Sequence, residues 1–230
     1  MLTKVYLTNF LSFPNRTEFD FTASKYSILS STNLYDDSYL KGALFIGPNA
    51  AGKSNALKGI SFLIGLIKGE NAQFGRYRCH FTRNPIMTLE YSFAFSGKNV
   101  LYKIEYNVKS RILSEELRKG DVTVLKREGT KGELRIGDTV STDDQLDADT
   151  LFLRTASFNT GRFPQDATLH SLMDYLLNSY CMGGYNQGSL LGRMITKYAE
   201  ENGVHEINKY LQAFNYDFEV EYGSESSGLG

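Results

Sequence analysis

One segment of this chain, Gly47-Pro48-Asn49-Ala50-Ala51-Gly52-Lys53-Ser54, fits the pattern G-x-x-x-x-G-K-[ST]. The apolar run before it, Gly42-Ala43-Leu44-Phe45-Ile46, predicts a buried β-strand. The residues after it predict a helix, because one helix face would carry Ala56, Ile60, Leu63, Ile64 and Ile67. A glycine-rich turn between a strand and a helix is the setting of a phosphate-binding P-loop. The segment therefore predicts that the chain binds a nucleoside triphosphate.

The residue types of this segment suit a triphosphate and Mg²⁺. Gly47 and Gly52 allow the backbone to turn tightly and to approach phosphate oxygens that a Cβ atom would block. Loop amides and the positive end of the following helix would then point at the phosphates. We expect Lys53 to contact the β- and γ-phosphates as the catalytic cation and the Ser54 hydroxyl to coordinate Mg²⁺. The predicted ATP-binding set is completed by Pro48, Asn49, Ala50, Ala51 and Asn55.

Composition limits the class of protein. The 230 residues can form one domain, or one domain with a small lobe, and the net charge of −1 gives no overall attraction to nucleic acid. Cys79 and Cys181 stand apart from each other and from any Cys/His cluster, which argues against zinc and against a disulfide framework. No apolar run approaches the roughly 20 residues that cross a bilayer, and the N-terminus shows no signal peptide. We therefore predict a cytoplasmic protein without a membrane segment.

The order of elements predicts an α/β fold with two domains. Alternating residues predict an antiparallel β subdomain beside a P-loop core within residues 1–160, with turns at Ser96-Gly97-Lys98-Asn99 and Lys119-Gly120-Asp121. Residues 161–230 predict a mainly helical lobe. Its helices are expected at residues 169–177, with Asp166 in the N-cap region, at residues 190–199 and at residues 204–214. A strand is expected at residues 217–222.

Neighbouring residues narrow the kind of P-loop protein. A GTPase needs an N-K-x-D segment, whereas the Asn-Lys pair of this chain continues as Asn208-Lys209-Tyr210-Leu211. A small-molecule kinase typically has an arginine-rich lid. The nearest candidates for such a lid are Arg76, Arg78, His80 and Arg83, which fit a solvated loop more simply.

The segment Asn9-Phe10-Leu11-Ser12-Phe13 and the asparagines Asn49 and Asn55 carry a family resemblance. They resemble the ABC-type ATPase heads of the SMC–RecF–OLD group, and are most similar to AbiL-like bacterial ATPases of phage-defence systems. The resemblance is good over residues 1–67 and weaker beyond them. SMC and RecF heads usually carry Arg where this chain has Leu11, so the resemblance gives no phosphate contact at that position. It implies an ATPase in which ATP held between two heads drives dimerisation.

The C-terminal residues extend this resemblance. Heads of the group carry a Ser-Gly signature loop that completes the ATP site of a second head, and Glu225-Ser226-Ser227-Gly228 is similar to that loop. The resemblance implies that Ser226, Ser227 and Gly228 contact ATP bound to the partner in a head-to-head homodimer. Without the resemblance, the same residues fit a flexible Gly/Ser terminus.

A complete head also needs a Walker B segment, in which four apolar residues precede Asp and Glu. The run Leu151-Phe152-Leu153 instead continues with Arg154, and no histidine follows the signature-like segment. We therefore predict a head that is incomplete at its C-terminus and inactive as an ATPase alone. A companion chain or a missing C-terminal half would then cover the sheet edge that the absent strands leave.

Two other functions stay open at this point. The resemblance to OLD proteins also implies an ATPase module that controls a nuclease or a toxin. A RecF-type protein would instead bind DNA through basic side chains, for which the candidates are Lys103, Lys109, Arg111, Arg118 and Lys119. Their spread and the near-zero net charge favour a solvated surface over a nucleic-acid site.

Overall fold

A computed structural model describes residues 1–23, 30–70, 73–95, 97–180, 201 and 203–213 of the chain. The chain divides into two compact units, Met1–Tyr180 and Cys181–Gly230. The first unit contains a large antiparallel β-sheet with helices. In the second unit, the described residues form a helix at Val204–Ala213, which confirms the helix predicted at residues 204–214.

The sheet of the first unit is built from hairpins. The strands are β1 (Leu2–Thr8), β2 (Thr17–Asp20), β3 (Leu34–Tyr35), β4 (Tyr39–Leu40), β5 (Ile86–Phe95), β6 (Lys98–Asn107), β7 (Ile112–Lys119), β8 (Val122–Glu128), β9 (Lys131–Ile136) and β10 (Thr139–Asp143). Eight of them form one sheet in the order β10-β9-β8-β7-β6-β5-β1-β2, and each described pairing is antiparallel. Strands β3 and β4 form a separate two-stranded ribbon.

Alternation of apolar and polar residues places one face of the sheet in the core. Along β5, Met87, Leu89, Tyr91 and Phe93 are buried, while most residues between them are partly exposed. The turn between β5 and β6 contains Gly97, whose φ of +76° is a conformation that glycine adopts readily. The structure thus confirms the predicted hairpin, and β7 and β8 confirm the next one.

Helices cover the buried face of the sheet. They are α2 (Lys53–Ile67), α3 (Phe152–Phe158) and α4 (Ala167–Leu177), whereas the short helix α1 (Ser30–Asn33) contacts β3. The side chain of Asp166 accepts a hydrogen bond from Leu169 N and caps the start of α4, as the sequence predicts. The sequence assigns α4 to the lobe at residues 161–230, whereas the structure places it in the unit Met1–Tyr180. The helical part of the core consists of Leu63, Leu66, Ile67, Phe152, Leu153, Ala156, Leu169, Leu172, Met173 and Leu176.

Helix α2 lies close to β1 at Gly59. A Cβ atom at Gly59 would stand 2.4 Å from Leu7 Cδ1, and Leu7 is fully buried. The Tyr91 hydroxyl donates a hydrogen bond of 2.7 Å to the Gly59 carbonyl oxygen. These contacts fix the position of α2, whose first residue is Lys53.

A buried ion pair joins the sheet to the start of α3. Arg127 Nη1 lies 3.0 Å from Glu115 Oε1, and both side chains are fully buried. The Glu115 carboxylate also accepts hydrogen bonds from Phe152 N at 2.7 Å and from Leu153 N at 3.2 Å. Burial, together with the Glu115 carboxylate beside it, raises the pKa of Tyr102 well above its ordinary value. The ion pair and these hydrogen bonds offset the cost of burying the two side chains in the core.

The opposite face of the sheet is polar and alternates in charge from strand to strand. Residues that face each other across β5 to β9 run Glu90, Lys103, Glu116, Lys126 and Glu133. Opposite charges across neighbouring strands attract each other. This face is therefore close to electrically neutral along that row.

The strand predicted at residues 42–46 is wrong, because the structure has neither strand nor helix at residues 42–47. A buried strand needs neighbours to pair with, and no described strand pairs with this segment. The predicted α/β class and its antiparallel sheet are confirmed. The helix predicted at 190–199 and the strand predicted at 217–222 lie outside the described residues. None of the described helices combines the length and the apolarity needed to cross a membrane.

Candidate phosphate-binding site

The phosphate-binding loop, residues 47–54, leads into α2 and has backbone features that suit an anion. Gly52 has a φ of +90° and Ala50 has a φ of +62°, so two residues of the loop are left-handed. The first hydrogen bond of α2 runs from Ala56 N to Gly52 O, so the amides of the three residues between them have no partner within the helix. Such amides, together with the positive end of the helix, favour a bound phosphate.

Lys53 folds back over its own loop. Its Nζ donates hydrogen bonds of 2.7 Å to Gly47 O and 2.6 Å to Pro48 O. Both acceptors are neutral carbonyl groups. Because a charged acceptor binds an ammonium group more strongly than a carbonyl does, a phosphate can take over these hydrogen bonds.

The residues present fit a magnesium–nucleotide complex better than a metal ion by itself. Ser54 is exposed in the first turn of α2, where its hydroxyl is available as a ligand. Among the described residues, no group of three or more His, Cys, Asp or Glu side chains could hold a metal ion. Mg²⁺ keeps several waters and is held largely by the phosphates of its nucleotide, so one hydroxyl ligand suffices for this fit.

The turn after β1, residues 9–13, closes one side of the loop. A Cβ atom at Gly52 would stand 3.1 Å from Ser12 Oγ and 3.5 Å from Phe13 Cζ. Asn55 Nδ2 donates a hydrogen bond of 3.0 Å to Ser12 Oγ. The left-handed backbone and this close approach both favour glycine at position 52.

The same turn is fixed on its other side by the chain that follows α2. Asn9 is fully buried with a φ of +55°, and its Nδ2 donates hydrogen bonds of 2.8 Å to Asn84 O and to Ile86 O. Leu11 has a φ of +47°, and its N–H donates a hydrogen bond of 2.7 Å to Tyr77 O. Asn9 and Leu11 are not glycines, so their left-handed backbone conformation costs free energy. These hydrogen bonds offset that cost.

The chain that enters the loop is exposed. Leu44 is 83% exposed and Ile46 is 85% exposed, whereas Phe45 is partly buried with its ring 5.9 Å from that of Phe19. No backbone hydrogen bond joins residues 42–46 to another part of the chain that the structure describes. An unpaired apolar segment of this kind is a surface for association with another strand.

The structure places the predicted residues 47–55 in one loop and one helix start. The side chain of Asn55, which is predicted to contact ATP, donates its hydrogen bond to Ser12 Oγ. The remaining predicted contacts lie outside the described residues, and they are Ser226, Ser227 and Gly228.

The basic residues considered for DNA binding do not form one free surface. Lys103 forms an ion pair of 3.0 Å with Glu105, and Lys119 forms one with Asp166. The row of alternating charge across the sheet neutralises the surroundings of Lys103 further. The candidates without an ion pair to a described residue are Lys109, Arg111 and Arg118.

The sequence analysis assigns no role to two residues that the structure shows to be engaged, Ser12 and Glu115. Ser12 has no assigned role, and its contact with Asn55 spans 43 residues without a local pattern that would indicate it. The buried Glu115 does leave a signal, because the alternation Leu113-Ser114-Glu115-Glu116-Leu117 places it on the apolar face of β7.

No protein-family model matches the chain, and no curated protein is significantly similar to it. The function is therefore argued from the residues of the loop and their geometry.

Proposed function

We propose that the chain binds MgATP through the loop at residues 47–54. The observation that carries this proposal is the pair of left-handed residues, Ala50 and Gly52, directly before helix amides that have no helical partner. The sequence pattern and the backbone thus point to the same ligand, because both suit a chain of phosphates.

Each side chain has a distinct part in this proposal. Lys53 leaves the carbonyls of Gly47 and Pro48 and donates to β- and γ-phosphate oxygens. The Ser54 hydroxyl faces the metal ion that accompanies the nucleotide. Asn55 and Ser12 hold the start of α2 in place while the loop adjusts.

The ATP site belongs, in this proposal, to an ABC-type head of the SMC, RecF and AbiL-like kind in a cytoplasmic phage-defence ATPase. The exposed Leu44 and Ile46 support a partner, because burying two such side chains stabilises an interface by about 1.5–3 kcal/mol each. The partner in this proposal is a second head, to whose ATP Ser226, Ser227 and Gly228 contribute. Residues 47–54 contain no Asp or Glu, so in this proposal the carboxylate that orients the attacking water comes from outside the loop.

The test is a calorimetric titration of MgATP into the wild-type chain and into Lys53→Ala. We expect the wild type to bind and Lys53→Ala to lose at least about tenfold in affinity, because a charge-assisted contact with the phosphates is removed. Lys58→Ala is the matched control, because Lys58 is exposed on the same helix and forms no ion pair with a described residue.

Equal affinity of Lys53→Ala and the wild type would overturn the proposal. A loss in Lys58→Ala as large as that in Lys53→Ala would do the same, because it would show an effect of bulk charge alone. The circular dichroism spectrum of each variant establishes that the fold is intact.

A further inference from the structure

A basic loop, residues 73–84, follows α2 and lies next to the turn at residues 9–13. The chain has no acidic residue between Glu70 and Glu90. Within this stretch the loop carries the cations Arg76, Arg78 and Arg83, together with His80. The loop therefore concentrates positive charge in a chain whose net charge is −1.

Hydrogen bonds hold the basic loop in shape. Arg78 donates to the carbonyl oxygens of Thr82 and Asn84. The Asn84 carbonyl is also bound by the buried Asn9, and Asn84 N donates to Thr82 Oγ1 at 3.1 Å. The guanidinium of Arg78 is thus used to close the loop, and the backbone at its tip is fixed before any partner arrives.

The basic loop exposes one large apolar ring, Phe81, close in sequence to exposed basic residues. Phe81 is 81% exposed, and Arg76, His80 and Arg83 are exposed around it in the sequence. Neither Arg76 nor Arg83 forms an ion pair or a side-chain hydrogen bond with any residue that the structure describes. Cations elsewhere, such as Lys103 and Lys119, are engaged by carboxylates.

We propose that the basic loop binds single-stranded nucleic acid, with Arg76 and Arg83 on backbone phosphates and a base stacked on Phe81. The charge complements phosphodiesters, and an exposed aromatic ring offers the flat face on which an unpaired base stacks. An acidic peptide could pair with Arg76 and Arg83, but its carboxylates would offer no flat ring to stack on Phe81. The basic loop shares no residue with the phosphate-binding loop, and this proposal does not require bound ATP.

The experiment measures the fluorescence anisotropy of labelled oligo(dT) and oligo(U) of about 20 nucleotides, titrated with the full chain without ATP. The variants are Arg76→Gln/Arg83→Gln and Phe81→Ala. The control is Lys98→Gln/Lys109→Gln, which removes two exposed charges at the two ends of β6 and none from the basic loop.

The wild type is expected to bind at least one of the two oligonucleotides. The double arginine variant is expected to bind at least about tenfold more weakly, and its slope of log affinity against log salt should be shallower by about 1.4, since two phosphate contacts are lost. Phe81→Ala is expected to lose about tenfold in affinity with an unchanged salt slope, because stacking releases no counterions.

The proposal is overturned if neither oligonucleotide binds, or if the control variant loses as much affinity as the double arginine variant. It is also overturned if Phe81→Ala binds like the wild type, or if a labelled oligo(Glu) peptide binds more tightly than the oligonucleotides. Because Phe81 is exposed and outside the core, its replacement leaves the fold intact, which a thermal unfolding curve checks.

Discussion

The side-chain amide of Asn55 donates a hydrogen bond of 3.0 Å to the Ser12 hydroxyl, and this bond joins the first turn of α2 to the turn after β1. The turn at residues 9–13 is held in place by the β-sheet and by the basic loop. The geometry of the phosphate-binding loop therefore depends on the N-terminal hairpin as well as on its own glycines.

Replacing Ser12 by Ala removes the acceptor of Asn55 and should weaken MgATP binding by about three- to tenfold, since such a hydrogen bond contributes about 1 kcal/mol. Calorimetric titration measures the change. Ser61→Ala is the control, because the Ser61 hydroxyl binds Lys58 O within the same helix. Wild-type affinity in Ser12→Ala would show that the turn does not support the loop.

Two glycines of α2 should respond to alanine in opposite directions. Ala favours a helix over Gly by about 1 kcal/mol, but at Gly59 the new Cβ would meet buried Leu7. We therefore expect Gly59→Ala to lower the free energy of unfolding by about 1–3 kcal/mol. At Gly65 the nearest atoms belong to the exposed, flexible Glu70 side chain, so Gly65→Ala should stabilise the chain. Urea unfolding of both variants tests the pair, and equal signs would contradict the packing described for α2.

Loss of the buried carboxylate of Glu115 should be among the most destabilising single changes. Glu115→Ala leaves Arg127 charged and buried and removes the acceptor for two amides of α3, which together cost about 3–5 kcal/mol. Glu116→Ala, on the polar face, should cost less than about 1 kcal/mol. Chemical unfolding distinguishes them. A similar decrease in the free energy of unfolding of both variants would mean that the ion pair of Glu115 with Arg127 does not stabilise the fold.

Asp166 should give the stability of the chain a dependence on acid pH. Burial raises the pKa of its carboxyl group, but hydrogen bonds from Lys119 and from Leu169 N outweigh it and leave the pKa below its ordinary value. Because the pKa of Asp166 is lower in the folded state, its ionised carboxylate stabilises the fold at pH values above the unfolded-state pKa of 3.8. This stabilisation is lost as the pH falls through the folded-state pKa. Asp166→Asn keeps a cap oxygen but has no charge to titrate.

The wild type should therefore exceed Asp166→Asn in free energy of unfolding by about 0.5–1 kcal/mol near pH 7, a small value because the Asp166 side chain is 34% exposed. The difference should shrink towards zero as the pH falls below 3.8. Urea unfolding at a series of pH values measures it. A difference that stays constant across this range would exclude the charged form of Asp166 as its source.

Local patterns predict much of this fold. A few adjacent residues predict the turn at Gly97, the cap at Asp166 and the helix that follows the G-x-x-x-x-G-K-S segment, and the structure confirms these elements. The alternation of apolar residues likewise predicts the strands from β5 to β8. Such elements can be predicted without knowing which parts of the chain they pack against.

Long-range pairing is what the sequence does not reveal. Residues 42–46 have the composition of a buried strand, yet a strand forms only where neighbours satisfy its backbone, and the described chain offers none. The contact of Ser12 with Asn55 and that of Glu115 with α3 join segments far apart in sequence. The sequence pattern identifies the glycines, Lys53 and Ser54 of the candidate site, but it does not predict the contact of Ser12 with Asn55.

The central claim is that residues 47–54 hold the phosphates of ATP, and amide hydrogen exchange resolved by peptide tests it most directly. On addition of MgATP, exchange should slow in peptides covering residues 47–55, because phosphate oxygens accept hydrogen bonds from these amides. Peptides from the β8–β9 hairpin should be unchanged. Unchanged exchange in residues 47–55 at saturating MgATP, or protection confined to another segment, would contradict the account.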